Sequence, residues 1–247
     1  MASASTAVLK AEARLLTREP GTLFWITVFP TLLMVILGLI PSFGEADPKL
    51  GGRRVIDLYV PVAVLLAVIM AGLQAMPPVL IGYRERGILR RMSTTPVRPT
   101  TLLVSQLVLL GGVALVSAAL VIAVGKIAFD VALPEQIAGY LLALILATAG
   151  ALALGGLICA VAGTQKSGQA IGSALFFPSM FTAGVWLPVQ SMPGLLRDIV
   201  GYTPLGAASE ALDAAMRGGW PHWADLGVMA LWSVVLTACA ARWFRWE

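Results

Sequence analysis

Apolar residues in this chain come in long runs. Stretches at roughly 22–43, 57–81, 100–124, 137–162, 168–190 and 225–243 are each mainly apolar over about the 20 residues a helix needs to cross a bilayer. The pattern predicts an all-α integral membrane protein with six transmembrane helices, forming a single domain over 1–247. Residues 1–20 interleave Val8, Leu9, Leu15 and Leu16 with Lys10, Glu12, Arg14 and Arg18, which predicts an interfacial helix lying in the membrane plane. Between the second and third runs, the segment 83–98 sets Ile88, Leu89 and Met92 at helical spacing among arginines and meets Pro96, predicting a short amphipathic helix ended there. Between Leu187 and Trp223, Pro188, Pro193, Pro204 and Pro221 interrupt a middle that is apolar but too short to cross. The segment 191–218 therefore reads as re-entrant helices on the external face or as an external loop with amphipathic turns.

Composition agrees: 58% of residues are apolar and 12% charged, against roughly 25% charged in soluble domains. The net charge of +4 does not point to nucleic acid, because the basic residues sit beside the apolar runs. Arg84, Arg86, Arg90, Arg91 and Arg98 face a single acid, Glu85, in the 83–98 segment, and short basic loops stay cytoplasmic. With that loop inside, six spans put both termini inside, along with 11 of the 17 Lys and Arg, and leave 9 of the 13 Asp and Glu outside. The first run is too long for a signal-peptide core and reads as a retained helix. Trp25, Trp243 and Trp246 fall where aromatic belts form and read as interfacial anchors. Cys159 and Cys239 lie within apolar runs at no metal-ligand spacing and read as free thiols.

Several chemistries are excluded or disfavoured. No GxxxxGK[ST] phosphate loop occurs, so nucleotide handling by that device falls to another polypeptide. The span interiors carry neutral polar groups such as Gln74, Ser105, Gln106, Ser117, Thr148 and Gln169, with Asp57 and Lys126 only at edges, which disfavours proton or sodium coupling. A membrane enzyme would need a nucleophile with a base or a metal cluster, and the single histidine, His222, stands alone beside Pro221 and Trp223. Gly168 and Gly172 form a GxxxG pair that serves either packing within the chain or dimerisation. The amphipathic 83–98 segment would either lie on acidic headgroups or dock on a protein partner.

Two stretches resemble a known family. YRERGILRRMSTTPVRPTTLLVSQ at 83–106 is similar to the cytoplasmic coupling region of type-2 ABC exporter permeases, especially the bacterial drug-efflux type. FPSMFTAGVWLPVQSMPGLLRDIVGYTPLGAASEALDAAMRG at 177–218 is similar to their fifth span and re-entrant region, with Tyr202 and Thr203 standing where many relatives carry Asn before the proline at Pro204.

The resemblance implies a permease subunit of an exporter in the bacterial cytoplasmic membrane that moves hydrophobic or amphiphilic compounds outward. ATP and Mg would be held by a separate ATP-binding subunit, with no cofactor in this chain. Arg84, Glu85, Arg86, Gly87, Leu89, Arg90, Arg91, Met92, Thr95 and Pro96 would form the contact with that subunit. A second copy or a homologous permease would complete a cavity, with Met70, Gln74, Phe177, Met180 and Phe181 as pathway candidates and Leu187, Pro188, Met192, Pro193, Tyr202 and Pro204 as the external gate. Arg197, Asp198, Glu210 and Asp213 would pair with one another or meet water. A lipid or glycolipid exporter is the nearest variant. An ion-coupled carrier and a membrane enzyme or scaffold are the readings from other classes.

Overall fold

A computed structural model describes residues 2–50, 52–93 and 99–243. Helix α1 (Ala2–Leu16) is followed by α2 (Pro20–Gly38), α3 (Val55–Glu85), α4 (Ile88–Ser93), α5 (Pro99–Phe129) and α6 (Ile137–Val161). Then come α7 (Gln165–Thr182), α8 (Gly194–Gly201), α9 (Pro204–Met216) and α10 (Trp223–Trp243). A two-stranded antiparallel ribbon of β1 (Ala46–Asp47) and β2 (Arg53–Arg54) precedes α3.

Among the described residues, five helices, α2, α3, α5, α6 and α10, are long and apolar enough to cross a bilayer. The run expected at 168–190 instead yields α7, which opens on Gln165, Lys166 and Ser167 and stops at Thr182. It stops because Gly184 takes a left-handed φ of 90° and Pro188 follows. The first run also ends early, at Gly38, with a separate 3-10 turn at Pro41–Phe43, whereas the third extends to Phe129 and the second to Glu85. The amphipathic helix expected up to Pro96 is divided. α3 absorbs residues 83–85, Gly87 turns the chain with φ 65°, and only Ile88–Ser93 forms the short helix.

α3 is the axis. Its apolar stretch is 89% buried, against 17% for α2 and for α10 and 28% for α5, as expected for a helix that is hydrophobic all round. Glycines bring α6 and α7 onto it. A Cβ on Gly155 would overlap the Gly72 carbonyl oxygen, and one on Gly72 would overlap the Ala151 carbonyl. A Cβ on Gly168 would strike Ile81, and one on Gly172 would come within 2.9 Å of the Leu73 oxygen. Both glycines of the GxxxG pair thus pack within the chain, against α3.

Two π-helical turns interrupt the spans, at Phe24–Val28 in α2 and Met70–Ala75 in α3. Both precede prolines that supply no backbone donor one turn back. Pro30 leaves the Ile26 carbonyl open, and the buried Ser117 hydroxyl of α5 donates to it at 2.7 Å. The Thr27 and Thr31 hydroxyls bend back to the Leu23 and Thr27 carbonyls. In α3, Pro77 and Pro78 leave the Leu73 and Gln74 carbonyls without their usual donors.

At the opposite end from α4, the ribbon arginines diverge. Arg53 reaches the buried Asp213 of α9 at 2.6 Å, and Arg217 lies 3.2 Å from the same carboxylate. Arg54 pairs with Asp57 at 2.7 Å and donates to the Phe129 carbonyl at 3.0 Å and the Asp130 carbonyl at 3.2 Å. The expectation that the charges of 197–213 pair among themselves holds for Arg197 and Glu210, at 2.6 Å, whereas Asp213 takes its partners from β2 and the end of α9.

Gly155→Ala is expected to lower the thermal midpoint of the detergent-solubilised protein, at a cost of about 1–3 kcal/mol for overpacking. Gly112→Ala, whose new Cβ meets nothing within 4 Å, should leave it unchanged or raised. Equal midpoints for the two variants would contradict the close α3–α6 contact.

Candidate functional site

Three successive residues at the end of α3 reach separate parts of the chain. The Tyr83 hydroxyl donates to Glu12 of α1 at 2.9 Å, and Gln106 of α5 donates to the same Glu12 oxygen at 2.6 Å. Arg84 donates to the Cys159 carbonyl at 3.0 Å and to the Ala162 carbonyl, closing the C-terminus of α6. Glu85 accepts from the Gln165 backbone N–H at 2.8 Å, at the N-terminus of α7. A cation at a helix C-terminus and an anion at a helix N-terminus both match the helix macrodipoles.

Among the described side chains of α1 the deeply buried one is the carboxylate of Glu12, while Val8, Leu9 and Leu16 are half-buried and Leu15 is exposed. Burial pushes the Glu12 carboxyl above the usual carboxylate range, against the hydrogen bonds from Tyr83 and Gln106, which pull it down.

Beyond the turn, Arg86 lies 5.7 Å over the Tyr83 ring and donates to the Gly82 carbonyl at 3.0 Å. Arg91 donates to the Arg86 carbonyl at 3.2 Å. Glu85, Arg86, Arg90 and Arg91 are exposed, Met92 is half-buried, and Leu89 is turned into the protein at 1% exposure. Thr95 and Pro96 lie outside the described residues.

The two π turns and α7 wall a cavity of about 500 Å³, lined by Trp25, Ile26, Met70, Gln74, Ser173, Phe176 and Phe177 among others. The structure thus brings together Met70, Gln74 and Phe177 of the pathway candidates. Met180 is buried in the core and Phe181 is part-exposed, and neither lines the cavity. Trp25, read from sequence as a membrane anchor, is exposed and also lines this cavity, its ring 5.0 Å from that of Phe29. The signal that could have found it is the Thr27, Pro30 and Thr31 pattern, which disturbs the helix there.

The gate candidates follow α7. Met192 is buried with Val189 and Val200, while Leu187 and Tyr202 are exposed. Pro188 and Pro193 precede the Val189–Ser191 turn and α8. Pro204 begins α9, with Thr203 as its N-cap accepting from the Gly206 N–H at 3.1 Å. The Tyr202 carbonyl accepts from the Trp232 indole at 2.9 Å, which ties this turn to α10.

Residues 4–216 match the family described as ABC-2 type transporter, membrane domain. The chain belongs to that family and is a multi-pass membrane permease of the ABC transporter class. No curated protein shows a significant match.

Arg84→Met is expected to cost about 1.5–3 kcal/mol, the worth of a charge-assisted hydrogen bond, while Arg90→Gln on the exposed side should stay within roughly 0.5 kcal/mol of the parent. Thermal unfolding of both variants checks this. For Glu12, a raised folded pKa means the native state holds the proton more tightly, so its contribution falls as pH rises from the ordinary carboxylate range through the folded value. Glu12→Gln should therefore gain thermal midpoint relative to the parent as pH rises across that window, and a constant difference would contradict the assignment.

Proposed function

We propose that the chain is the permease subunit of an ATP-driven exporter in the bacterial cytoplasmic membrane, moving hydrophobic or amphiphilic, drug-like compounds outward. Family membership supports the transport role, and the observation that carries the mechanism is the joint reach of Tyr83, Arg84 and Glu85. A push on α4 acts within a few residues on a point held to α1, α5, α6 and the start of α7. It is therefore delivered to the bundle as a whole.

In this reading a separate subunit binds ATP and Mg, and the chain has no ATPase site of its own. Arg86, Arg90 and Arg91 are its polar contacts with that subunit, joined by Met92, Gly87, Thr95 and Pro96. Arg84, Glu85 and Leu89, engaged within the chain, hold the segment in position. Six crossings, with α7 as the fifth, put both termini on the cytoplasmic side, and α8 and α9 form a re-entrant pair on the external face. A second copy or a homologous permease faces the cavity of Met70, Gln74 and Phe177. Its aromatic, thioether, amide and hydroxyl lining suits a greasy substrate with a few polar atoms. Leu187, Pro188, Met192, Pro193, Tyr202 and Pro204 close the external end, with Met180 and Phe181 behind them.

Affinity purification of the chain from its native membrane should bring down a Walker-motif ATPase in stoichiometric amount. The double variant Arg90→Glu, Arg91→Glu should lose that partner and reduce export about tenfold or more. Collapse of the proton gradient at constant ATP should leave export intact. Undiminished export by the double variant, or block of export by the gradient collapse alone, would overturn the proposal in favour of an ion-driven carrier.

A further inference from the structure

Two polar side chains in the Trp25 and Phe177 cavity point to a ligand. Gln74 of α3 and Ser173 of α7 both line it, and among the described residues neither the Gln74 amide nor the Ser173 hydroxyl has a hydrogen-bond partner. Other hydroxyls of the spans are satisfied within their own helix: Thr27, Thr31, Ser105, Thr148 and Ser233 each donate to a carbonyl one turn back. An amide and a hydroxyl without partners at membrane depth are costly, and they are the kind of group by which a mainly apolar cavity orients what it binds. The volume of about 500 Å³ is that of a site for a drug-sized molecule.

The remaining walls set the charge of that molecule. Trp25 of α2 and Phe176 and Phe177 of α7 bring three aromatic rings to one space. Trp25 is 49% exposed and Phe177 61%, so ring surface is left open to a ligand. Aromatic faces attract cations, Trp most strongly. No Lys or Arg lines the cavity, so an anion there would lie without a counter-charge.

A carboxylate stands at the mouth. Glu19 immediately precedes α2, and its Oε2 accepts at 3.2 Å from the hydroxyl of Thr22, which is itself part of the cavity wall. Glu19 is exposed, and among the described residues no basic side chain pairs with it. Trp25 lies six helical steps further on, about 9 Å along the axis. A cation arriving at the start of α2 meets this negative charge first and the rings next.

We propose that the cavity selects bulky lipophilic cations, with Glu19 drawing the charge in and Trp25, Phe176 and Phe177 holding it. This deepens the exporter reading above and rests on it for the direction of movement, whereas binding itself requires neither ATP nor the ATP-binding subunit.

Methyltriphenylphosphonium and triphenylphosphine oxide share three phenyl rings and nearly one shape, and differ by one positive charge. Each is titrated by calorimetry into the full chain in zwitterionic nanodiscs, with empty nanodiscs as the blank. The parent should bind the phosphonium about tenfold more tightly than the oxide. Trp25→Leu should remove most of that preference, and Trp25→Phe, which keeps a ring, should retain much of it. Glu19→Gln should weaken phosphonium binding about threefold, by an amount that shrinks in added salt, and leave the oxide unaffected. Equal affinity of the parent for the two probes, or a Trp25→Leu variant that loses both in the same proportion, would overturn the cation assignment. Failure of the exporter reading is distinguishable, because the preference for the phosphonium would then persist in nanodiscs although no ATPase co-purifies with the chain.

Discussion

The Arg84–Glu85 pair at the end of α3 holds one end of the bundle together. Two adjacent side chains of opposite charge grip the two ends of the same tight turn, the cation at the carbonyls that end α6 and the anion at the N–H that begins α7. Each charge matches the dipole it faces, an interaction of about 0.3–1 kcal/mol when exposed and up to ~2 kcal/mol when partly buried. Energy alone is not the point. α6 and α7 enter and leave this turn as a unit whose position is defined by α3, the helix against which α2, α5, α6 and α7 pack.

Buried carboxylates sit at both ends of the bundle, one against the end of α3 and one against the ribbon that precedes it. Glu12 is held by Tyr83 and Gln106, and Asp213 by Arg53 and Arg217. Isolated charges in such positions would be costly, and each is offset by donors from other elements. Between these ends α3 is apolar and fitted to α6 and α7 through glycines too close for any Cβ. Its one irregular region is the π turn at Met70–Ala75, which together with the π turn of α2 opens the Trp25 and Phe177 cavity.

Much of this was legible along the chain. Long apolar runs locate the spans, and the arginines of 83–98 mark the exposed segment, because bilayer thickness and charge placement act on local sequence. What was not legible depends on partners far apart. Arg84 and Glu85 read as outward contacts because their acceptor and donor are backbone groups 75 to 80 residues away, which carry no side-chain signature. Leu89 read as a partner contact, yet the Gly87 turn swings it inward. Trp25 read as an anchor from its belt position, and its place on the cavity wall depends on α3 and α7, which lie far along the chain. Gly168 and Gly172 announced a close helix contact without naming its partner, and α3 is that partner. The fifth apolar run was overextended because its end is set by the left-handed turn at Gly184, a backbone event inside an otherwise apolar stretch.

The most direct test of transmission through α3 is a distance measurement between spin labels at Arg90→Cys and Phe177→Cys. It would be made with Cys159 and Cys239 replaced, in nanodiscs holding the chain with its ATP-binding subunit. The α4-to-α7 geometry should change between nucleotide-free and ATP-bound states, and the change at Phe177 should vanish when Arg84 and Glu85 are both replaced by Gln. A Phe177 displacement that persists undiminished without the Arg84 and Glu85 contacts would contradict the central role given to them.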